Sequence, residues 1–353
     1  MSAAIPRPLT VHRALADEAR RLRASSQSPR LDVEVLLAHV LGITRERLYA
    51  QSERVLGAAE HALLHELVTR RARHEPVAYL TGRKAFHDIE VGVNQHTLIP
   101  RPETETLVEV ALEKLDELAD ETRSRPADDS RSRPADDSRQ QPADDSRSRP
   151  ADDSRQQPAD ETRSRLADAS QGQPAAGRRR EWPRVLDIGT GSGAVALAIA
   201  NARPDVRTVG IDVQYQALEQ ARLNAEQLGL AERCRFLVSD IFDDIPPGSL
   251  FDLIVSNPPY VADDELAATP PDVHSYEPHT ALLGGELGLD FYHRIVPAAP
   301  AFLAPRGFLA VEIAEQRAAE VTAIFREAGR FEPPEVRNDL GGRPRVVVAR
   351  ERA

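Results

Sequence analysis

A doubly wound, mostly parallel α/β sheet, preceded by a helical bundle and a β-hairpin linker, is the fold class this sequence predicts. Three observations lead there. From Val185 onward short apolar runs alternate with helical stretches, the rhythm of a parallel sheet with crossover helices. The first run, Val185-Leu186-Asp187-Ile188, is followed at once by the glycine-rich turn Gly189-Thr190-Gly191-Ser192-Gly193. The following runs end in polar residues, at Asp212, Asp240 and Asn257, where open α/β sheets place their ligands.

The N-terminal third has a different texture. Val11, Leu15 and Ala19 recur at helical spacing, as do Leu31, Val35, Leu36, Val40 and Leu41, then Leu63, Leu64, Leu67 and Val68. Ser28-Pro29 is a start signal for the second of these helices and Gly42 a stop. Residues 1–75 are therefore expected to form a helical docking domain. Alternation at Val77, Tyr79 and Leu80, then Phe86, Ile89, Val91 and Val93, predicts a hairpin linker over residues 76–100. His61, His65 and His74 carry no adjacent carboxylate pattern and are assigned no metal.

Residues 101–353 then form the α/β domain. Pro102 is suited to a first helical turn, and Leu107, Val108, Ala111 and Leu115 continue that helix. The stretch 119–180 interrupts it with repeats of period eight running from Glu121 to Asp168, variants of Asp-Ser-Arg-Ser-Arg-Pro-Ala-Asp. Rich in proline and charge and poor in large apolar residues, this tract is expected to be disordered. Strands are expected at Val185–Ile188, Arg207–Ile211, Phe236–Val238, Phe251–Ser256, Phe308–Ile313 and Arg345–Arg350.

Composition excludes several classes. A net charge of −11 in 353 residues argues against a surface that is mainly a nucleic-acid or membrane footprint. Cys234 is the only cysteine, so an intrachain disulfide and a cysteine-based metal cluster are excluded. With no signal-peptide pattern at Met1–Pro8 and no long apolar run, a soluble cytoplasmic protein is expected.

The chemistry centres on Asn257-Pro258-Pro259-Tyr260. Proline has no N–H and a fixed φ, so the loop can present the Asn257 side-chain oxygen and the Pro258 carbonyl as rigid acceptors. Two acceptors at that spacing suit a planar NH₂ group, localising a nitrogen lone pair that conjugation would otherwise spread, while Tyr260 covers the planar face. An Asn-Pro turn without a ligand has the same sequence. The glycine turn lets a ligand approach the backbone, and Asp212 at the end of the next strand is placed to grip ribose hydroxyls. With Ala194 the turn also satisfies a dinucleotide pattern. Asp187, Asp240 and the Asn257 loop favour S-adenosylmethionine over a nicotinamide cofactor, although Asp187 and Asp240 could equally cap helices.

These residues resemble a known family. Val185–Gly193 with Asn257–Tyr260 is similar to class I methyltransferases (Rossmann-like) acting on a planar nitrogen. Further stretches narrow the resemblance: Glu75–Gly82, Leu98–Glu105, Glu277-Pro278 with Ala281-Leu282, and Asp339-Leu340 with Gly342–Arg345. Together they resemble the PrmC/HemK family of release factor glutamine methyltransferases. The resemblance implies methyl transfer from S-adenosylmethionine to the side-chain amide nitrogen (N5) of the glutamine in the Gly-Gly-Gln motif of class 1 peptide chain release factors. It implies that Asn257, Pro258, Pro259 and Tyr260 hold that glutamine. It further implies that Gly189, Thr190, Gly191, Ser192, Gly193, Asp212, Asp240 and Ile241, with Asn257, line the cofactor. Family members often carry an aromatic where Ile241 stands, and the octad tract is foreign to the pattern.

Rival readings are a methyltransferase of an exocyclic adenine or guanine amine, a nicotinamide-dependent oxidoreductase and a non-catalytic cofactor-binding protein. The first must attract phosphates, against the acidic balance. The second lacks a hydride-transfer acid beside the turn, lysine being scarce after Lys114. The third is disfavoured by an intact Asn257.

Overall fold

The computed structural model describes residues 9–124 and 182–352. Its first part is helical: α1 (Val11–Arg21), α2 (Pro29–Leu41), α3 (Arg45–Ala50) and α4 (Ala58–Arg71) surround a core that includes Leu15, Leu22, Leu36, Leu37, Leu64 and Val68. Burying such a side chain contributes roughly 1.5–3 kcal/mol, and that gain holds short helices of modest propensity together. The α2 boundaries follow their signals, with Ser28 preceding Pro29 and Gly42 in the left-handed region at φ +62°. Leu31 and Leu63 project into solvent, because each helix buries a narrower stripe than its apolar residues span.

The linker departs from expectation in its first half. Val77–Thr81 form one short helix, α5, closed by Gly82 at φ +72°. The antiparallel hairpin is confined to β1 (Arg83–Phe86) and β2 (Ile89–Gly92), in the register Arg83 to Gly92 and Phe86 to Ile89.

After a short 3₁₀ turn at Pro102–Thr104, helix α6 runs from Glu105 to Ser124. The expected boundary of the insertion at 119 is therefore too early, since Glu121–Ser124 continue the helix and Glu121 binds the Arg350 guanidinium through both oxygens at 2.6 Å. The rest of the octad tract lies outside the described residues. Chain direction resumes at the amino end of β3 (Arg184–Ile188), the sheet edge opposite the glycine turn.

The sheet comprises β3, β4 (Arg207–Asp212), β5 (Cys234–Val238), β6 (Phe251–Ser256), β7 (Leu303–Glu312), β8 (Glu335–Asn338) and β9 (Pro344–Arg350) in the order β5-β4-β3-β6-β7-β9-β8. The first five are mutually parallel, and β9 enters antiparallel between β7 and β8. Strand β8, a four-residue edge strand that is mostly exposed, has no periodic signal of its own, and the tail strand does not end the sheet. Helices α7 (Ala194–Ala202), α8 (Tyr215–Gln227), α9 (Asp290–Ala298) and α10 (Ala318–Ala328) flank it. Seven consecutive residues of α7, Ala194 to Ala200, are buried, so this helix is enclosed on every side. On α8 Leu223 is half exposed.

The sheet order fixes where function sits. Strand order reverses between β3 and β6, and crevices form outside the carboxyl ends of strands at such a point. The glycine turn leaves β3 and the Asn257 loop leaves β6, so both open into that crevice.

Candidate active site

Backbone geometry builds the glycine turn. Gly189, Gly191 and Gly193 have φ of +71°, +55° and +81°, a region costly for residues with a Cβ. At Gly193 a Cβ would also meet Ala221 and Leu197 at 3.1 Å, so glycine is required there by packing as well as conformation. The Gly189 and Thr190 amides donate to the Ile211 carbonyl at 2.9 Å. Beneath the turn, Asp187 is buried and accepts from the Thr190 hydroxyl at 2.6 Å and the Ala196 amide at 3.2 Å. Burial raises its pKa to about 6, against the pull of those two donors. Asp187 therefore serves the turn and the start of α7, the capping role weighed for it above.

Asp212 accepts the Gly191 amide on one oxygen at 3.0 Å and the Gln214 amide on the other at 2.9 Å. Each oxygen keeps a lone pair for a further donor. Desolvation raises its pKa and the backbone donors oppose this. A Cβ on Gly191 would find nothing within 4 Å, so the turn faces open space beside this carboxylate and fits a ribose-bearing cofactor.

Asp240 and Ile241 follow β5. The Asp240 carboxylate pairs with Arg294 on α9 at 2.8 Å, a partner that sequence spacing could not disclose. Ile241 is buried among the apolar residues on one face of the sheet, with φ +55°, an uncommon conformation for a β-branched residue. Asn224 of α8, unremarked in the sequence, donates to the carbonyls of Ser192 at 2.8 Å and Gly92 at 3.0 Å, so it ties the hairpin to the glycine turn.

The Asn257 loop is held from three sides. Val261 donates to the Leu282 carbonyl and Gly284 to the Val261 carbonyl, each at 2.9 Å, which fastens the loop to the segment after Glu277-Pro278. Cβ atoms at Gly284 and Gly288 would approach the Pro259 and Tyr260 carbonyl oxygens to 2.5 and 2.3 Å, so these glycines permit the contact. The Asn257 Nδ2 donates to the Thr104 hydroxyl oxygen at 3.1 Å, committing the donor end of the amide and leaving Oδ1 as the acceptor. The Tyr260 hydroxyl donates to Glu312 at 3.4 Å.

The Asn257 carbonyl oxygen lies 3.9 Å from where a Gly189 Cβ would stand, so the glycine turn and the Asn257 loop adjoin. On the loop's other side opens a cleft of about 790 Å³, bordered by Asn257, Pro258 and Tyr260 and, from the helical region, by residues 24–28, Arg71 and His74. Arg71 crosses between them. Its Nε donates to Asp32 at 2.7 Å, and its guanidinium lies 3.9 Å from Asp272. Nearby, Glu277 accepts the Ile99 amide at 3.2 Å and the Arg101 guanidinium at 2.5 Å. Burial raises its pKa while Arg101 opposes the shift.

A mostly parallel sheet with a glycine turn, a carboxylate at the end of the next strand and an Asn-Pro-Pro-Tyr loop at its switch point is the arrangement of a class I S-adenosylmethionine-dependent methyltransferase. Residues 13–82 match the PrmC N-terminal domain and residues 178–270 the methyltransferase small domain. The release factor glutamine methyltransferase of Rhodopirellula baltica is 32% identical over 92% of this chain and 90% of its own. That of Koribacter versatilis is 33% identical over 97% and 99%, and that of Burkholderia pseudomallei 34% over 95% and 96%. The chain belongs to the release factor glutamine methyltransferase family.

Proposed function

We infer that this protein is an enzyme that methylates the side-chain amide nitrogen of the Gly-Gly-Gln glutamine in class 1 peptide chain release factors, with S-adenosylmethionine as donor. The observation that carries the reading is the orientation of Asn257: with Nδ2 held by Thr104, Oδ1 is left as an acceptor on the loop that also carries the Pro258 carbonyl. Two fixed acceptors take the two N–H groups of a primary amide and localise its nitrogen lone pair. Tyr260 and the prolines keep the amide plane in place. The glycine turn, Gly189 to Gly193, and Asp212 hold the cofactor, with Asp240 and Ile241 toward its adenine. The cofactor supplies an electrophilic methyl group on a sulfonium sulfur. Asn257 and Pro258 would aim the localised lone pair of the amide nitrogen at that methyl carbon.

The cleft is wide enough for a loop of a protein substrate, and the helical region on its far side supports docking there. A release factor partner implies a cytoplasmic enzyme; among the described residues no helix is long and apolar enough to cross a membrane. Transfer to an adenine or guanine amine is not favoured, given the relatives above and the net charge of −11. Mass spectrometry of release factor incubated with this protein and isotopically labelled S-adenosylmethionine should find one labelled methyl on the Gly-Gly-Gln glutamine. Label in nucleic acid with an unmodified glutamine would overturn the reading.

A further inference from the structure

Glu312 ends β7, adjacent in the sheet to β6 and the Asn257 loop, and no sequence motif had marked it. Its side chain borders the cleft yet is shielded from solvent. Oε1 accepts the Tyr260 hydroxyl at 3.4 Å. Oε2 is buried without a hydrogen bond of ordinary geometry, although the Thr104 hydroxyl lies near enough to favour the ionised carboxylate. A buried carboxylate in this state is costly and calls for a reason.

The direction of the hydrogen bonds supplies one. Thr104 accepts from Asn257 Nδ2, so its single proton is free to point toward Glu312. An ionised carboxylate only accepts, and it therefore makes Thr104 and Tyr260 donors toward it. Thr104 then has its lone pairs turned to Asn257. If Asn257 flipped, its Oδ1 would face the Thr104 oxygen and its NH₂ would face the NH₂ of the substrate, leaving donor against donor and acceptor against acceptor.

We propose that Glu312 is a positioning residue for amide methylation, which through Thr104 locks Asn257 with its oxygen toward the substrate and through Tyr260 fixes the covering ring. The proposal rests on the function inferred above and adds a residue that need not touch the substrate. Protonation would undo the lock, because a carboxylic acid can donate to Thr104 and reverse the bond. Burial holds the Glu312 pKa up at about 7, in the range where this matters. The charged and titratable groups facing it are Glu103, which raises the pKa, and Arg345, which lowers it. Tyr260 donates to the carboxylate, and the Tyr292 hydroxyl donates to the backbone carbonyl of Glu312 at 2.8 Å.

The test compares steady-state methylation of release factor by wild type and Glu312→Gln between pH 6 and 9, with calorimetric binding of S-adenosylhomocysteine alongside. Wild-type kcat should fall as pH drops through about 7. The Gln variant, whose amide can donate at every pH, should lose that acid limb and run roughly 10- to 100-fold below wild type at pH 8, with cofactor affinity and the KM for release factor little changed. Near wild-type kcat with the acid limb retained would overturn the proposal. Should the Gln variant fail to fold, Thr104→Val and Thr104→Ser carry the same test. The Val variant should lose kcat by a similar factor and the Ser variant should keep it, and equal losses in both would overturn the relay. Absence of release factor methylation by wild type at every pH would instead refute the function on which the proposal rests.

Discussion

The glycine turn after β3 and the acceptor loop after β6 adjoin in one crevice, yet they are built by different means. The turn is a local object. Its positive-φ glycines, its underlying Asp187 and the Asp212 that receives the Gly191 amide lie within one strand-turn-helix-strand unit. The loop depends on distant chain. Thr104 precedes α6, Gly284 and Gly288 follow the Glu277-Pro278 stretch, and Glu312 ends β7. A backbone cradle tolerates movement of a flexible cofactor, whereas discrimination of an amide oxygen from an amide nitrogen requires every proton in the surrounding network to have one direction. Breaking the loop should therefore damage turnover, and breaking the turn should damage binding.

Asn257→Ala gives the largest expected effect on this comparison. Losing one of the two proposed acceptors should lower kcat by roughly 10²-fold or more, as for other single positioning contacts, while S-adenosylhomocysteine binding stays close to wild type. Turnover at saturating substrates is the measurement. A variant that keeps its kcat would mean that Pro258 and Tyr260 suffice to aim the amide.

Asp212→Ala should do the reverse. On the role proposed above, two charge-assisted hydrogen bonds to ribose, removing the carboxylate should cost roughly 3 kcal/mol of cofactor binding, read by calorimetry. Because Asp212 also holds the Gly191 and Gln214 amides, Asp212→Asn is the cleaner variant. It retains one acceptor oxygen and should lose less. Equal affinity in all three proteins would remove Asp212 from the cofactor site.

The same contrast explains what could be read in advance. Five parallel strands, the glycine turn and the Asn257 loop carry signatures within a few residues: apolar runs, glycines where φ is positive, prolines where an N–H is unwanted. Asn224 and Glu312 carry none, and Thr104, although inside the Leu98–Glu105 stretch, carries no mark of its role, because each matters only through a partner brought near by folding. Asp240, for which the sequence offers a cofactor or helix-capping role, is paired with Arg294. Val77–Thr81 failed for a simpler reason, since five residues hold too little periodicity to separate helix from strand.

Stability as a function of pH sharpens the comparison further. Glu312 has an ordinary carboxyl value of 4.5 and is held near 7 in the folded chain. Between those values the folded state binds more protons than the unfolded state, so stability falls as pH rises across that window. Glu312→Gln removes this dependence. It should unfold at higher denaturant than wild type at pH 8, by on the order of 2 kcal/mol, and show little difference at pH 4. A stabilised protein with a lowered kcat is what a strained positioning residue predicts. A Gln variant less stable than wild type at pH 8 would show that the carboxylate is a net support of the fold.

The smallest effect concerns the junction between α6 and the octad tract. Glu121 is counted in the first octad, but its carboxylate binds Arg350, which is buried beside Phe308 with its guanidinium 4.8 Å from the ring. Two Gly/Ser replacements therefore differ. Replacing residues 125–168 leaves this pair intact and should leave stability and methyl transfer close to wild type, since loop closure depends only weakly on length, about 0.6 kcal/mol per doubling. Replacing residues 121–168 leaves Arg350 with Glu117 at 3.5 Å and the Arg306 carbonyl at 3.0 Å. Because Glu121 is partly exposed, the added loss should be modest, about 1 kcal/mol, and should appear in the denaturation midpoint with kcat unchanged. If both replacements unfold at the same midpoint, the Glu121–Arg350 pair contributes nothing net; if the shorter replacement alone abolishes methyl transfer, residues 125–168 have a part in the reaction.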